Sequence, residues 1–150
     1  MANLNFIKDL KLGNEGEEIL TEYLITKGST FVDSNKDNRY DVKMSNNNKE
    51  ITYEVKTDVK CAPLFDTGNI FIEFQSRGKI SGISVTQADW FVTYFLYLGE
   101  LWFIKSKDLK ELIKKHDFPK FYNAGDIGSE THGYLIKRKD FKQYFHVRKI

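Results

Sequence analysis

Apolar and polar positions alternate on both sides of residue 47. Tyr40, Val42 and Met44 are separated by Asp41 and Lys43, and Ile51, Tyr53 and Val55 by Thr52 and Glu54. This period of two predicts a pair of strands. Between them lies "SNNNK", in which Asn47-Asn48 suits a two-residue hairpin turn because asparagine tolerates positive φ. Such a turn pairs residues whose numbers sum to 95 and sets Asp41 opposite Glu54. Lys56 continues the alternation and shares the face of Glu54.

A different period precedes the hairpin. Leu12, Gly16, Ile19, Leu20, Tyr23 and Leu24 recur at spacings of three and four, which predicts an amphipathic helix ending at Gly28 as its C-cap. Glu17 borders that stripe, while Glu15, Glu18 and Glu22 lie towards the polar side. Acids in the first half of a helix also favour its dipole, which accounts for Glu15 to Glu18 equally well.

After the hairpin, Ile70, Ile72 and Phe74 alternate with Phe71, Glu73 and Gln75 in a third strand, where Glu73 can line a cleft or pair with a base. "SRGKISGIS" reads as a flexible loop whose Arg77 and Lys79 suit a phosphate backbone. "DWFVTYFLYLGELWFIK" predicts two core strands joined at Gly99-Glu100, too short and interrupted to span a membrane. Ser106 is placed to cap a helix over "KDLKELIKK", with Leu109, Leu112 and Ile113 on one face. "FPKFYNAGDIGSETHG" carries loop punctuation, and "GYLIK" and the amphipathic "DFKQYFHVRKI" complete the chain. The pattern predicts one α/β or α+β domain with a central mixed sheet flanked by helices.

Composition adds to this picture. With 150 residues and 41% hydrophobic content the chain can bury one sizeable core, with no linker or repeat to divide it. The single Cys61 excludes an intramolecular disulfide, and with no targeting stretch at the N-terminus a cytoplasmic location is expected. His116, His132 and His146 are scattered, so oxygen-ligated Mg²⁺ or Mn²⁺ is the metal class that fits. The net charge of +2 is modest, but residues 137–150 alone carry six basic groups against one acid. Lys137, Arg138 and Lys139, interleaved downstream with Phe141, Tyr144 and Phe145, form either a nucleic-acid-facing ridge or a solvated terminal helix.

The hairpin carries the candidate chemistry. Two opposed carboxylates roughly 5 Å apart at Cβ repel and raise each other's pKa, so a cation belongs between them. Mg²⁺ takes one or two carboxylates, with water and substrate phosphate completing its shell. Lys56 is placed to hold a water or to offset charge in a phosphoryl transition state. A solvated face with a Glu54–Lys56 or Asp41–Lys43 ion pair is the plainer alternative.

Asp41, twelve intervening residues and then "EVK" resemble the PD-(D/E)XK nuclease superfamily, with "YD" in place of its Pro-Asp. The segment "GNEGEEILTEYLITKG" resembles the first helix of the Holliday-junction resolvase branch, and "TQADWF" the segment behind its catalytic strands. The resemblance covers about residues 12 to 95. It implies a restriction endonuclease-like fold and a metal held by Asp41, Glu54 and the carbonyl of Val55. Glu17, four after Gly13, is implied as a further site carboxylate, with Glu18 one position away as its alternative. Lys56 is implied as the catalytic lysine and Gln87 as an orienting glutamine, although Gln87 also reads as a surface residue. The activity implied is Mg²⁺-dependent hydrolysis of DNA, on branched or structured substrates. A protein of this size that cuts both strands of a duplex needs two active sites, so a twofold dimer is expected, its patch supplied by the 90–104 hairpin or the C-terminal segment. Other readings are a non-catalytic member binding nucleic acid or protein, a ribonuclease, and a pure interaction protein.

Overall fold

The turn at Asn47-Asn48 fixes the middle of the molecule. Both residues adopt left-handed φ, +52° and +63°, joining strands β2 (Val42–Asn46) and β3 (Lys49–Asp58). The register runs Val42 to Tyr53, Met44 to Ile51 and Asn46 to Lys49, each pair summing to 95 as expected. The computed structural model describes residues 4–35, 39–124 and 130–150, and the side-chain surroundings of 14–35, 39–122, 124 and 130–150.

The chain opens with helix α1 (Leu4–Thr26), a strand β1 (Thr30–Ser34) and then the hairpin. Gly28, at φ +96°, ends α1 as expected: Ser29 N–H reaches the Leu24 carbonyl at 3.0 Å and Gly28 N–H that of Ile25 at 3.0 Å. These two bonds are a Schellman cap. Leu12 of the predicted stripe, and Gly13 of the resolvase-like segment, have surroundings outside those described.

Further along come β4 (Asn69–Ser76), β5 (Lys79–Ile80), a 3₁₀ turn at Gly82–Ser84, β6 (Trp90–Phe95) and β7 (Glu100–Lys105). Helix α2 (Ser106–Lys115), β8 (Lys120–Ala124), β9 (Thr131–Lys137), α3 (Arg138–Phe141) and β10 (His146–Lys149) follow. A six-stranded mixed sheet has the order β1-β2-β3-β6-β7-β10, with β3 and β6 parallel and its other neighbours antiparallel. A second sheet, β5-β4-β9-β8, is antiparallel. The coarse class is therefore the expected one, an α+β domain with a mixed sheet.

Core residues lie on both faces of the six-stranded sheet. Tyr53, Val55, Val92, Tyr94, Leu101 and Phe103 pack under Leu20 and Leu24 of α1. Phe91, Phe95, Trp102 and Ile104 face the other way, against Ile70, Ile72 and Ile136 of the second sheet and Leu109 and Leu112 of α2. Gly16 sets the closeness of the first contact, since a Cβ there would lie 2.3 Å from Thr57 Oγ1.

Several local expectations are corrected. The third strand, β4, belongs to the second sheet rather than the central one. "SRGKI" is a tight hairpin, with Arg77 and Gly78 at φ +53° and +74°, and not a flexible loop. Leu96 to Gly99 form the β6–β7 turn, and Glu100 already pairs with Phe95. Lys105 occupies the cap position of α2, so Ser106 lies inside the helix and gives its N–H to Asp89 at 3.0 Å. The expected loop before "GYLIK" includes the strand β8, with residues 125–129 outside those described, and the C-terminal segment ends as the edge strand β10 rather than as a helix.

Candidate functional site

Strand β3 extends beyond the start of β2, and the site forms in that notch. Asp41 stands just before β2, where the ladder gives way: its N–H donates to the Tyr53 carbonyl at 2.9 Å, and its Oδ2 accepts the Val55 N–H at 2.8 Å. The carboxylate thus takes the place of a ladder partner, beside Glu54 rather than paired with it through the backbone. N–H and C=O of one strand residue point to the same side, so the Val55 carbonyl also faces Asp41.

Glu54 lies between Tyr53 and Val55 and points away from α1, onto the face of Phe91 and Ile83. It is 7% exposed. Lys56, two residues on, reaches it with Nζ 3.4 Å from Oε1. The expected shared face is therefore observed, as a partly buried ion pair rather than a solvated one. Thr86 holds the other oxygen: its hydroxyl donates to Glu54 Oε2 at 3.2 Å and accepts the Ala88 N–H at 3.2 Å. The second bond fixes the hydroxyl and leaves its proton for Glu54.

Gly82 brings Thr86 to this position. At φ +53°, with a would-be Cβ 2.2 Å from the Glu73 carbonyl, it lets the 3₁₀ turn lie directly on β4. Glu73 is half-buried there, near enough for its charge to act on Lys56.

The electrostatics follow from burial. Desolvation raises the carboxyl of Asp41 above its ordinary value, against the Val55 hydrogen bond and the charge of Lys56, which lower it. Desolvation likewise raises Glu54; Lys56 opposes this and Asp41 adds to it. Burial pulls Lys56 down, but Glu54, Glu73 and Asp41 together outweigh it and leave its pKa raised. Lys56 is thus a lasting cation among three carboxylates, a formal balance of −2.

The donor set fits a hard dication. Among the described residues no group of three or more His, Cys, Asp or Glu side chains is arranged to hold a metal. Two carboxylates and a peptide carbonyl facing one notch are nevertheless the partial shell that Mg²⁺ takes when water and phosphate supply the rest. One such ion would balance the formal charge.

The other expected residues are dispersed. Glu17 follows Gly16 on α1, which covers the Val55 and Thr57 face, so the sheet stands between that helix and the Glu54–Lys56 face; Glu18 is exposed. Gln87 is exposed and its N–H bonds the Arg39 carbonyl at 2.9 Å. A 3₁₀ turn precedes Gln87, and Thr86 is the residue that meets Glu54. The sequence offered one signal for Thr86, a hydroxyl two residues ahead of Ala88 in a segment already singled out, as in an ST-turn.

Arg77 and Lys79 are exposed on their hairpin, and Lys137 and Lys139 are exposed around α3. Arg138 turns inward instead. Its guanidinium pairs with Asp66, donates to the Asn69 carbonyl at 3.0 Å and lies 4.9 Å from the Phe95 ring centroid. It fastens the loop after β3 and is not free for phosphate. Comparison of the chain with protein-family models, curated proteins and solved structures returns no match. No described helix is long and apolar enough to cross a membrane.

Proposed function

We infer that this protein is a divalent-metal-dependent nuclease that hydrolyses phosphodiester bonds in DNA, with a restriction endonuclease-like core. The observation that carries the reading is the notch itself. Asp41 is fixed by a backbone N–H, Glu54 is fixed by Thr86, and Lys56 stands 3.4 Å from Glu54, all around the one stretch of β3 that has lost its β2 partner. A solvated surface pair would be neither buried nor fixed from two sides.

Asp41, Glu54 and the Val55 carbonyl are the groups that would hold Mg²⁺ or Mn²⁺, which when bound supplies Lewis-acid activation of the phosphate and of a water. Lys56 remains protonated, so it acts as a donor to the attacking water or to the phosphate oxygens as charge builds, and not as a general base. Thr86 keeps one Glu54 oxygen oriented, and Glu73 helps keep Lys56 charged. In the reaction water adds to phosphorus, the ester P–O bond breaks, and the departing oxygen takes up a proton.

Cutting both strands of a duplex calls for two such sites, so a twofold dimer remains the expected form. The 90–104 hairpin cannot supply its patch, because β6 and β7 have strands on both sides and are largely buried. The edge strands of that sheet, β1, bearing the exposed Phe31 and Val32, and β10, in the C-terminal segment, are open to a second copy.

The test is incubation of purified protein with plasmid, single-stranded DNA, a four-way junction and RNA, each with and without Mg²⁺ or Mn²⁺. Metal-dependent cleavage of a DNA substrate is expected. Cleavage of RNA alone would make the protein a ribonuclease, and cleavage of none would contradict the reading.

A further inference from the structure

On the α1 side of the six-stranded sheet, beyond the end of the α1 contact, β3, β6 and β7 line an open cleft of about 500 Å³. Its floor is Trp90 with Ile51, and its rim carries Lys49, Lys105 and Lys107, all exposed. Asp89 is the acid in the lining, and its carboxylate is already engaged by the Thr52 N–H at 2.9 Å and hydroxyl at 3.1 Å. Three lysines against Asp89 leave the cleft formally at +2. The Trp90 ring is held edge-on to Phe103 and His146, with centroids 6.4 and 5.8 Å away, and Lys105 Nζ lies 5.8 Å from its centroid.

A flat, half-buried indole ringed by mobile ammonium groups recognises a ligand with an aromatic ring and phosphate charge. We propose that this cleft binds single-stranded nucleic acid, a base stacking on Trp90 while Lys49, Lys105 and Lys107 take the flanking phosphates. A strand is favoured over a free nucleotide because the cleft is open and its lysines are spread over β3, β7 and the start of α2, so they match successive phosphates. The site is distinct from the notch: Trp90 pairs with Tyr53, whose neighbour Glu54 projects from the opposite face. It does not rest on the hydrolytic reading.

Tryptophan emission reads the cleft directly. The chain has two tryptophans, and Trp102 is 3% exposed within the core. Titration with a short oligothymidylate in EDTA, where no metal-dependent hydrolysis competes, should give saturable quenching. Trp90→Phe should abolish the quenching, with binding then followed by anisotropy of a labelled oligomer. The affinity should fall with salt at a log–log slope of about −2, for three lysine contacts to a single strand.

Lys49→Ala/Lys105→Ala/Lys107→Ala should lower affinity at least about ten-fold and flatten that slope. These are exposed positions, and an unchanged melting curve would show the fold intact. Lys114→Ala/Lys115→Ala, exposed on α2 outside the cleft lining, should leave affinity within about two-fold, as expected of positions remote from the site. The proposal is overturned by an absence of saturable quenching, or by unchanged affinity in the triple variant. Saturation by thymidine monophosphate as tight as by the oligomer would equally overturn it, assigning a free-nucleotide pocket.

Discussion

Burial raises the carboxyls of Asp41 and Glu54 from ordinary values of 3.8 and 4.5, so the native metal-free protein retains protons that its unfolded chain releases. Stability from these groups is full below about pH 4 and is lost as pH rises through their raised native values. Metal acts in the opposite sense, because its ligands must be deprotonated and because a ligand of the native state stabilises that state by mass action. Thermal melts should therefore show a Mn²⁺-induced rise in Tm that grows with pH across this range. Asp41→Asn/Glu54→Gln should abolish that rise, and should melt at the same or higher temperature than wild type without metal at pH 7. A metal response unchanged in the double variant would remove these residues from the metal site. Arg138 shows how residue type alone misleads. Its position in a basic run suggested phosphate binding, yet the carboxylate of Asp66 and the ring of Phe95 hold it inward. Arg138→Ala should cost about 1–2 kcal/mol in denaturant melts, from a lost charged hydrogen bond and lost packing, while leaving DNA affinity nearly unchanged. Lys137→Ala/Lys139→Ala should do the reverse, weakening binding and flattening its salt dependence.

At the scale of elements, α1 and β3 depend on Gly16. A methyl there would meet Thr57 Oγ1 at 2.3 Å and Val55 Cγ1 at 3.4 Å, so α1 would have to lift from the strand that carries Glu54 and Lys56. Gly16→Ala is expected to destabilise by about 1–3 kcal/mol, the usual cost of overpacking. Thr57→Ala in the same chain should recover part of that loss, and a double-mutant cycle measures the coupling. Elements with a strong local period were legible in the sequence. The β2–β3 hairpin announced itself by alternation and by two asparagines suited to its turn, and the end of α1 by Gly28. Strand β1 gave no such signal, because all five of its residues are exposed at the sheet edge and nothing selects an alternating pattern. The second sheet was hidden for another reason: β4 has the same alternation as a strand of the main sheet, and periodicity cannot say which partner a strand takes. The site was half legible. Asp41, Glu54 and Lys56 could be brought together by counting along one hairpin, whereas Thr86 reaches Glu54 through a turn seated on another sheet.

The whole molecule separates its charges. The buried notch gathers acids around Lys56, while exposed cations lie on the Arg77–Lys79 hairpin, around α3, and along the Trp90 cleft. A net charge of +2 therefore understates the positive surface open to a polyanion. Binding and chemistry reside in different residues on this account, which makes them separable by experiment. The most direct measurement is single-turnover cleavage by wild type and Lys56→Ala at saturating DNA in Mg²⁺ or Mn²⁺, with affinity measured in parallel in Ca²⁺. Loss of one preorganised cation aimed at the developing charge should slow cleavage about 10²- to 10³-fold. Affinity should change little, because Lys56 is one of many phosphate-facing cations. Cleavage by Lys56→Ala at the wild-type rate would contradict the central claim that the notch of Asp41, Glu54 and Lys56 is where the phosphodiester is cut.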